Sequence, residues 1–282
     1  RYPVKIKYID NLLEDLKRRD FTINTLCIDS KGNTIDLLNA KEDINHKIIR
    51  SVGNPKTKIK EDALRILRAL RFATTLNFEI DKDLKKYMKK YASNLKKLSY
   101  NRKQEELNKI FSSPNSEVGL KLISELKLAK YLELNNFNNV KPTTAVIGLW
   151  AQLNVLDIYN FSNNEKQTIK SINELLNKDV LNNENLYKYG LYVSTIVGEI
   201  KNIDRKTITQ KYNELYIKNR GEIALKANDI CNLLNKAPGP FLKEIIRDLE
   251  MNIVNKKLEN DISTLKQYVL KKYKDIKWNT YT

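Results

Sequence analysis

The chain has 282 residues, of which 41% are hydrophobic and 30% are charged, a composition typical of globular rather than disordered proteins. Its formal net charge of +17 favours a polyanionic partner, because lysine and arginine side chains release counterions from a phosphate backbone on binding. Two cysteines and one histidine argue against a disulfide framework or a zinc site, and no run approaches the ~18 apolar residues of a membrane span. We therefore expect a cytoplasmic protein, without a membrane partner, that binds nucleic acid.

The first 54 residues have a strand-like pattern. Alternating Val4, Ile6 and Tyr8 predict a strand that is already under way at the first residue, so we expect a further portion of protein N-terminal to it. The segments FTINTLCID, from Phe21, and TIDLL, from Thr34, predict two strands joined by a turn at SKGN. These features indicate a β-hairpin within a small mixed α/β element.

Helical spacing of apolar residues begins after the GNP segment at 53–55 and continues nearly to the end of the chain. The segments SSPNSE (112–117), LNNFNNVKPTT (134–144) and NKAPGPF (235–241) interrupt this pattern and predict seams between sub-domains. The predicted fold class is therefore mainly α and multidomain, with a small α/β remnant at its start.

A helix predicted from Glu61 to Thr75 would carry guanidinium groups along one face. At about 100° per residue, Arg65, Arg68 and Arg71 follow one side of the helix, and apolar residues cover the other. Asp62 lies about 60° from Arg65 on this helix, so both side chains can point to the same place. The alternative is a set of exposed i,i+3 and i,i+4 ion pairs that add little to stability.

An aspartate beside an arginine presents one acceptor and a fork of donors. Cytosine and adenine both show an exocyclic amine next to an unprotonated ring nitrogen, whereas uracil and guanine show the reverse order. Asp62 and Arg65 therefore predict selection of C and A, because the wrong base leaves buried polar groups unpaired. Arg68 and Arg71 are then available for a triphosphate, whose oxygens suit a guanidinium fork.

Four segments in order, DLKRRDFTIN, DSKGNTIDLL, KEDALRILRALRFA and LSYNRKQEELNKIF, resemble the motifs of the class II nucleotidyltransferases, the family of tRNA nucleotidyltransferases and bacterial poly(A) polymerases. Later segments, LYIKNRGEIALKANDI and KAPGPFLKEIIRDLEMNIVNKKLEND, are similar to the tail of the bacterial CCA-adding members. The resemblance implies four parts: the C-terminal part of a nucleotidyltransferase head (1–55), a helical neck with the nucleotide-reading helix (56–112), a helical body (113–205) and a helical, tRNA-binding tail (206–282).

The resemblance also implies roles for single residues. Arg19 and Asp20 of the RRD motif contact the incoming nucleotide, with Asp20 directed at the ribose. In the EDALR motif, Asp62 and Arg65 read the base, which agrees with the donor and acceptor argument, and Arg68 and Arg71 contact the nucleotide as well. One departure is Asn101, which stands where the family usually has a glutamate and puts a neck or tRNA contact in doubt.

The implied reaction adds C, C and A to tRNA 3′ ends from CTP and ATP without a nucleic-acid template. Two Mg²⁺ ions would activate the tRNA 3′-hydroxyl and stabilise the leaving pyrophosphate. In the family, the Gly-rich motif and the metal-binding aspartates precede the RRD motif, and Asp10, Glu14 and Asp15 lack the required D-x-D spacing. We therefore predict no catalytic residue and no metal ligand within these 282 residues, and weak nucleotide binding without turnover.

A basic segment from Lys85 to Lys103 has eight basic residues, no acidic ones and three tyrosines. This composition predicts attraction to RNA phosphates with occasional stacking, and an exposed helix face is the alternative. The C-terminal YVLKKYKDIKW has the same character. Two other functions stay open, a poly(A) polymerase or A-adding enzyme and a non-catalytic RNA-binding fragment, and we expect a monomer or a homodimer.

Overall fold

The computed structural model describes residues 11–274 and 276, and it is predominantly helical. The strand predicted around Ile6 lies outside these residues. Contacts divide the chain into two compact units, one up to Ile169 and one from Lys170. The predicted fold class, mainly α and multidomain with a small sheet, is confirmed, whereas the four domain boundaries stay predictions. Within the described part of the chain, no helix combines the length and the apolar character that a bilayer crossing requires.

The first unit combines short strands near its start with a series of helices. Its helices are α1 (Leu12–Arg18), α2 (Ala40–Asn45), α3 (Pro55–Glu61), α4 (Leu64–Leu76), α5 (Lys82–Lys90), α6 (Tyr100–Phe111), α7 (Ser116–Glu125), α8 (Ala129–Leu132), α9 (Val146–Gln152) and the first part of α10 (Asn163–Leu176). Its strands are β1 (Cys27–Ile28), β2 (Thr34–Ile35), β3 (Ile48–Ile49) and β4 (Glu79–Ile80). Short 3₁₀ helices lie at Thr22–Asn24, Ala92–Lys97 and Phe137–Asn139.

The predicted hairpin is present, but it is shorter than the sequence pattern indicated. Strands β1 and β2 pair antiparallel, with Cys27 opposite Ile35, and Gly32 occupies the turn with φ of 85°. The prediction that the first strand begins at Phe21 is wrong, because a 3₁₀ helix follows that residue. The hydroxyl of Thr22 donates a hydrogen bond of 2.6 Å to the buried Asp43, a tertiary contact that overrides the local strand preference.

Helix α4 lies at the centre of the first unit, where it packs against α6 and α7. Gly119 of α7 permits this close approach, since a Cβ there would overlap the side chains of Ile110 and Thr74. The buried face of α4 consists of Ile66, Leu67, Ala69, Leu70, Ala73 and Thr74. Because this face is fixed by packing, the remaining side of α4 holds its arginines in defined positions.

The regular secondary structure of the second unit, within its described residues, consists of helices, and the unit has its own apolar core. Its elements after α10 are α11 (Asn183–Lys201), α12 (Arg205–Asn213), a 3₁₀ helix (Arg220–Glu222), α13 (Ala227–Leu234), α14 (Phe241–Val254) and α15 (Ile262–Tyr273). Helix α11 bends at Gly190, whose φ of 72° departs from helical geometry. Buried side chains of α13, α14 and α15, including Ile230, Leu249 and Leu265, form the core of this unit.

The carboxylate of Asp248 on α14 accepts hydrogen bonds from three side chains of α15. Lys272 Nζ lies 2.9 Å from both of its oxygens, and the hydroxyls of Tyr268 and Tyr273 each donate to Oδ2 at 2.8 Å. Burial acts to raise the pKa of Asp248, but the hydrogen bonds from Lys272, Tyr268 and Tyr273 outweigh it and lower the pKa below 3.8. The fold therefore stabilises the ionised carboxylate.

We expect this carboxylate to make the stability of the protein pH-dependent. Because the pKa of Asp248 is lower in the folded state than in the unfolded state, its contribution is present above about pH 4 and is lost as the pH falls through the folded value. Replacing it, Asp248→Asn, should lower the free energy of unfolding at pH 7 by about 1 to 3 kcal/mol. Urea unfolding followed by circular dichroism between pH 2 and about pH 7 measures both effects.

The matched control is Glu244→Gln, an exposed acid on the same helix. It should leave the free energy of unfolding nearly unchanged at both ends of the range. Parallel pH dependences for the wild type and Asp248→Asn would show that this carboxylate does not cause the acid sensitivity.

Candidate nucleotide-binding site

Asp20 follows α1 and is held through its backbone. Its carbonyl accepts a hydrogen bond of 3.0 Å from the N–H of Val52, and the next residue, Phe21, forms an isolated bridge with Ser51. Phe21 is buried and packs edge-on against Phe72 of α4, with the ring centres 5.7 Å apart. These contacts place the carboxylate of Asp20 beside α4.

The Asp20 carboxylate contacts two of the predicted site arginines. Its Oδ1 lies 3.4 Å from Nε of Arg65, and its Oδ2 accepts a hydrogen bond from Nε of Arg68. The side chains of Asp20 and Arg65 are only 18% and 16% exposed, so solvent screens this ion pair less than a surface pair. The structure thus brings Asp20 of the RRD motif together with Arg65 and Arg68 of α4.

Asp62 lies between two helices, and the prediction of one continuous helix from Glu61 is wrong. Helix α3 ends at Glu61, Asp62 is extended with φ of −147° and ψ of 109°, and α4 begins at Leu64. Asp62 Oδ1 accepts a hydrogen bond of 3.0 Å from the N–H of Leu64. An aspartate that bonds to the backbone in this way favours the start of a helix over its interior, which explains the break.

Helix α6 contributes two residues that the sequence argument did not assign to the site. Arg102 Nη2 donates to Asp62 Oδ2 at 2.9 Å, and Glu106 Oε2 accepts from Nε of Arg71 at 2.7 Å. Arg102 and Glu106 are four residues apart and therefore lie on one face of α6. The signal in the sequence was the spacing of these two charges within the NRKQEE segment.

Arg71 is additionally held against an aromatic ring. Its guanidinium carbon lies 4.1 Å from the centre of the Phe72 ring, and that of Arg68 lies 5.8 Å from the same ring. Glu106, the acidic partner of Arg71, is only 4% exposed. Arg71 is therefore a half-buried and well-anchored cation.

Arg19 occupies the end of α1, where it is the C-terminal capping residue. Its Nη1 donates to the carbonyl of Asn24 at 2.6 Å, and its Nη2 lies 3.6 Å from Asp15. With a side chain 42% exposed, Arg19 is more accessible to a ligand than Arg65. Arg19 directly precedes Asp20 in the sequence, and its side chain contacts Asn24 and Asp15.

Arg65 carries an unpaired buried donor. Its Nη1 is one of two buried side-chain nitrogen or oxygen atoms without a hydrogen-bond partner among the described residues, the other being the Ser194 hydroxyl in the second unit. An unpaired buried N–H costs about 1 to 3 kcal/mol unless an acceptor satisfies it. A bound ligand that offers an acceptor would remove that cost once a movement of the side chain exposes this atom.

The basic segment predicted to bind RNA divides into exposed and buried parts. Lys86, Lys89 and Lys90 of α5 are exposed, and the rings of Tyr87 and Tyr91 stack beside them with centres 6.2 Å apart. Lys103, in contrast, is buried, with an exposed fraction of 1%. Its ammonium lies 3.8 Å from Glu133 and 4.5 Å from the centre of the Tyr100 ring, so it has a structural role.

In the C-terminal basic segment, α15 directs Lys272 and two tyrosines to Asp248, as described above, while Trp278 lies outside the described residues. Across residues 11–274 and 276, no group of three or more histidine, cysteine, aspartate or glutamate side chains is arranged to hold a metal ion. The absence of metal ligands from the whole chain stays a prediction.

Three known sequence families match the chain in order. Residues 1–50 match the "Poly A polymerase head domain", residues 77–137 the "Probable RNA and SrmB- binding site of polymerase A", and residues 149–269 the "tRNA nucleotidyltransferase domain 2 putative". The second match includes the exposed lysines of α5.

Similar proteins agree with these matches. The CCA-adding enzyme of Streptococcus mutans is 31% identical, in a match that covers 96% of this chain and 75% of that protein. The CCA-adding enzyme of Staphylococcus epidermidis is 29% identical, covering 95% of this chain and 75% of its own length. This chain thus spans about three quarters of both relatives.

Solved structures share the fold. The crystal structure of the Bacillus stearothermophilus CCA-adding enzyme in complex with CTP superposes with a TM-score of 0.81 at 26% identity, covering 94% of this chain and 75% of that chain. The Thermotoga maritima CCA-adding enzyme complexed with tRNA superposes with a TM-score of 0.68 at 20% identity, covering 92% and 74%. Because a relative above 30% identity extends over almost the whole chain, the predicted resemblance is confirmed, and this chain belongs to the CCA-adding enzymes, a family of tRNA nucleotidyltransferases.

Proposed function

We propose that this chain selects CTP and ATP for the addition of C, C and A to tRNA 3′ ends. The observation that carries the proposal is the buried, unpaired Nη1 of Arg65, which lies in a cluster with Asp20 and Arg68 and requires an acceptor. A ring nitrogen of cytosine or adenine is such an acceptor. The CTP complex of the Bacillus stearothermophilus relative supports the proposal.

In this proposal Asp62 and Arg65 read the base. Asp62 already accepts hydrogen bonds from Leu64 and Arg102, but its two carboxylate oxygens offer about four lone-pair sites, so it can also accept from an exocyclic amine. Arg65 then donates to the neighbouring ring nitrogen. Asp62 has an extended backbone and not the helical one that the sequence predicted. Asp62 still supplies the acceptor and Arg65 the donor that cytosine and adenine require.

The remaining predicted site residues hold the rest of the nucleotide. Arg68 and Arg71 contact the triphosphate, Asp20 is directed at the ribose, and Arg19 contacts the incoming nucleotide. Each of these guanidinium groups has a carboxylate or carbonyl partner in the structure, so their positions are set before a nucleotide arrives. Such preorganisation reduces the entropy lost on binding.

The chemical step is phosphoryl transfer, for which we propose Mg²⁺ as the cofactor. The described residues do not provide a cluster that fits this ion, so the roles proposed for them are nucleotide binding and base selection. A cytoplasmic location and a monomeric or homodimeric state are part of the same proposal.

Base selection can be measured as nucleotide binding by the chain itself. CTP and ATP should bind more tightly than UTP and GTP in equilibrium titrations. Asp62→Ala and Arg65→Ala should each reduce this preference by about tenfold, because the pair that distinguishes the bases is lost. Asp62→Asn retains an oxygen for the start of α4 and should also reduce the preference.

The control is Asp83→Ala, the same chemical change at an exposed position of α5. It should leave all four dissociation constants unchanged. Equal preferences in the wild type, Asp62→Ala and Arg65→Ala would rule out base reading by this pair. Tight binding of ATP without CTP would instead favour the A-adding alternative.

Arg71 should affect affinity rather than selection. Arg71→Ala should raise the dissociation constants of all four nucleotides by a similar factor of about ten, because a phosphate contact is lost. It should also lower the free energy of unfolding by about 3 kcal/mol, because the buried Glu106 carboxylate loses its 2.7 Å partner. Titration and urea unfolding measure the two effects separately.

A double variant, Arg71→Ala with Glu106→Gln, separates these roles. It removes the unpaired charge and should regain part of the stability, but not the nucleotide affinity. Glu105→Gln, at an exposed position of the same helix, is the control and should change neither quantity. Recovery of affinity together with stability would mean that Arg71 acts only through folding.

Binding of tRNA should depend on salt and on the exposed lysines of α5. Raising the salt from about 50 mM to about 200 mM should weaken tRNA binding by at least tenfold, because several phosphate contacts release counterions. The double change Lys89→Gln and Lys90→Gln should weaken binding and reduce the salt dependence. Filter binding or fluorescence anisotropy gives both values.

The charge-matched control is Lys166→Gln with Lys170→Gln, two exposed lysines of α10. Equal losses in both double variants would indicate a general effect of net charge. A tRNA affinity that does not change with salt concentration would contradict phosphate binding by the basic segment.

A further inference from the structure

Lys58 joins the two halves of the proposed nucleotide site, a role that none of its sequence features indicated. It lies on α3, partly buried, and its Nζ donates a hydrogen bond of 2.7 Å to the carbonyl of Lys17 in the last turn of α1. Arg19 and Asp20 lie two and three residues after Lys17 in the chain. The carbonyl ends of a helix carry partial negative charge, which favours a cation at this position.

The backbone of Lys58 contacts the other half of the site. Its own carbonyl accepts a hydrogen bond of 3.2 Å from the N–H of Asp62. One residue therefore bonds through its side chain to the segment before Asp20 and through its backbone to Asp62. The neighbouring Ile59 is 1% exposed and anchors this turn of α3 in the core.

The charges around Lys58 belong to the same cluster. Burial and the adjacent positive charge of Arg65 lower the pKa of Lys58, while Glu61 and Asp20 act in the opposite direction. Arg65 Nη2 lies 3.9 Å from Glu61 at the end of α3. The ammonium group is thus close enough to influence Arg65 electrostatically, although its hydrogen bond is directed to α1.

Asp20 is otherwise held from its C-terminal side. The N–H of Val52 bonds to the Asp20 carbonyl at 3.0 Å, and the N–H of Thr22 bonds to the Arg50 carbonyl at 2.9 Å. The contact from Lys58 secures the N-terminal side, at the end of α1. Both attachments together define where the Asp20 carboxylate meets Arg65.

We propose that Lys58 is a positioning residue for nucleotide selection, which sets the spacing between Asp20 at the end of α1 and the base-reading residues Asp62 and Arg65. The inference rests on the proposed function, because it assumes that these residues bind a nucleotide. Because its Nζ donates to the Lys17 carbonyl, we assign Lys58 no direct contact with the nucleotide. Its loss would let α1 and α3 move apart and misalign Arg65.

The test is a titration of the chain and its variants with CTP, ATP, UTP and GTP. Lys58→Met keeps the length and apolar stem but removes the donor. It should raise the dissociation constants of CTP and ATP by about tenfold and those of UTP and GTP by less, so that the preference for C and A falls. Lys58→Arg, which can still donate to the Lys17 carbonyl, should restore the preference to within about twofold of the wild type.

The control is Lys56→Met, an exposed lysine on the same helix, which should not change any of the constants. If Lys58→Met does not fold, as judged by circular dichroism, Lys58→Gln carries the same expectation. An unchanged preference overturns the inference, and so does a uniform rise for all four nucleotides, which would show a general electrostatic effect. A wild-type chain that binds all four equally overturns the proposed function instead.

Discussion

The carboxylate of Asp20 is the contact on which the site depends. It is the point where the segment after α1 meets α4, and it holds the guanidinium groups of Arg65 and Arg68 at the same time. Two acidic groups, Asp20 and Glu61, lie beside three cationic ones, Arg65, Arg68 and Lys58, which leaves an excess of positive charge in a partly buried place. Because such charge is poorly screened, it attracts an anionic ligand more strongly than exposed arginines would.

Helix α6 adds one positive and one negative side chain, and each pairs with a site residue of opposite charge. Arg102 pairs with Asp62, and Glu106 pairs with Arg71, so each predicted site residue near α6 has its counter-charge in place. Burying these groups without partners would cost several kcal/mol per ion. The pairing makes a polar cluster compatible with the tightly packed interface of α4 and α6, and it also prevents the side chains from adopting many rotamers.

The sequence predicted the parts of this structure that local patterns determine. The helical fold, the turn at Gly32 and the separation of arginines from the apolar face of α4 follow from periodicity and turn chemistry. The break at Asp62 and the 3₁₀ helix after Phe21 do not, because they reflect capping and tertiary hydrogen bonds. The bond between Lys58 and α1 joins residues 41 positions apart, a separation at which no periodicity carries information.

The fixed chemistry of the base-reading pair limits what the site can accept. An ionised aspartate only accepts hydrogen bonds and an arginine only donates them, so the polarity of Asp62 and Arg65 cannot invert as that of an asparagine or a hydroxyl can. Arg102 and the N–H of Leu64 hold the Asp62 carboxylate, while Asp20 holds Arg65. Cytosine and adenine share the donor and acceptor order that such a pair requires. The same two side chains therefore suit both bases, and the difference in size between a pyrimidine and a purine has to be resolved by other contacts.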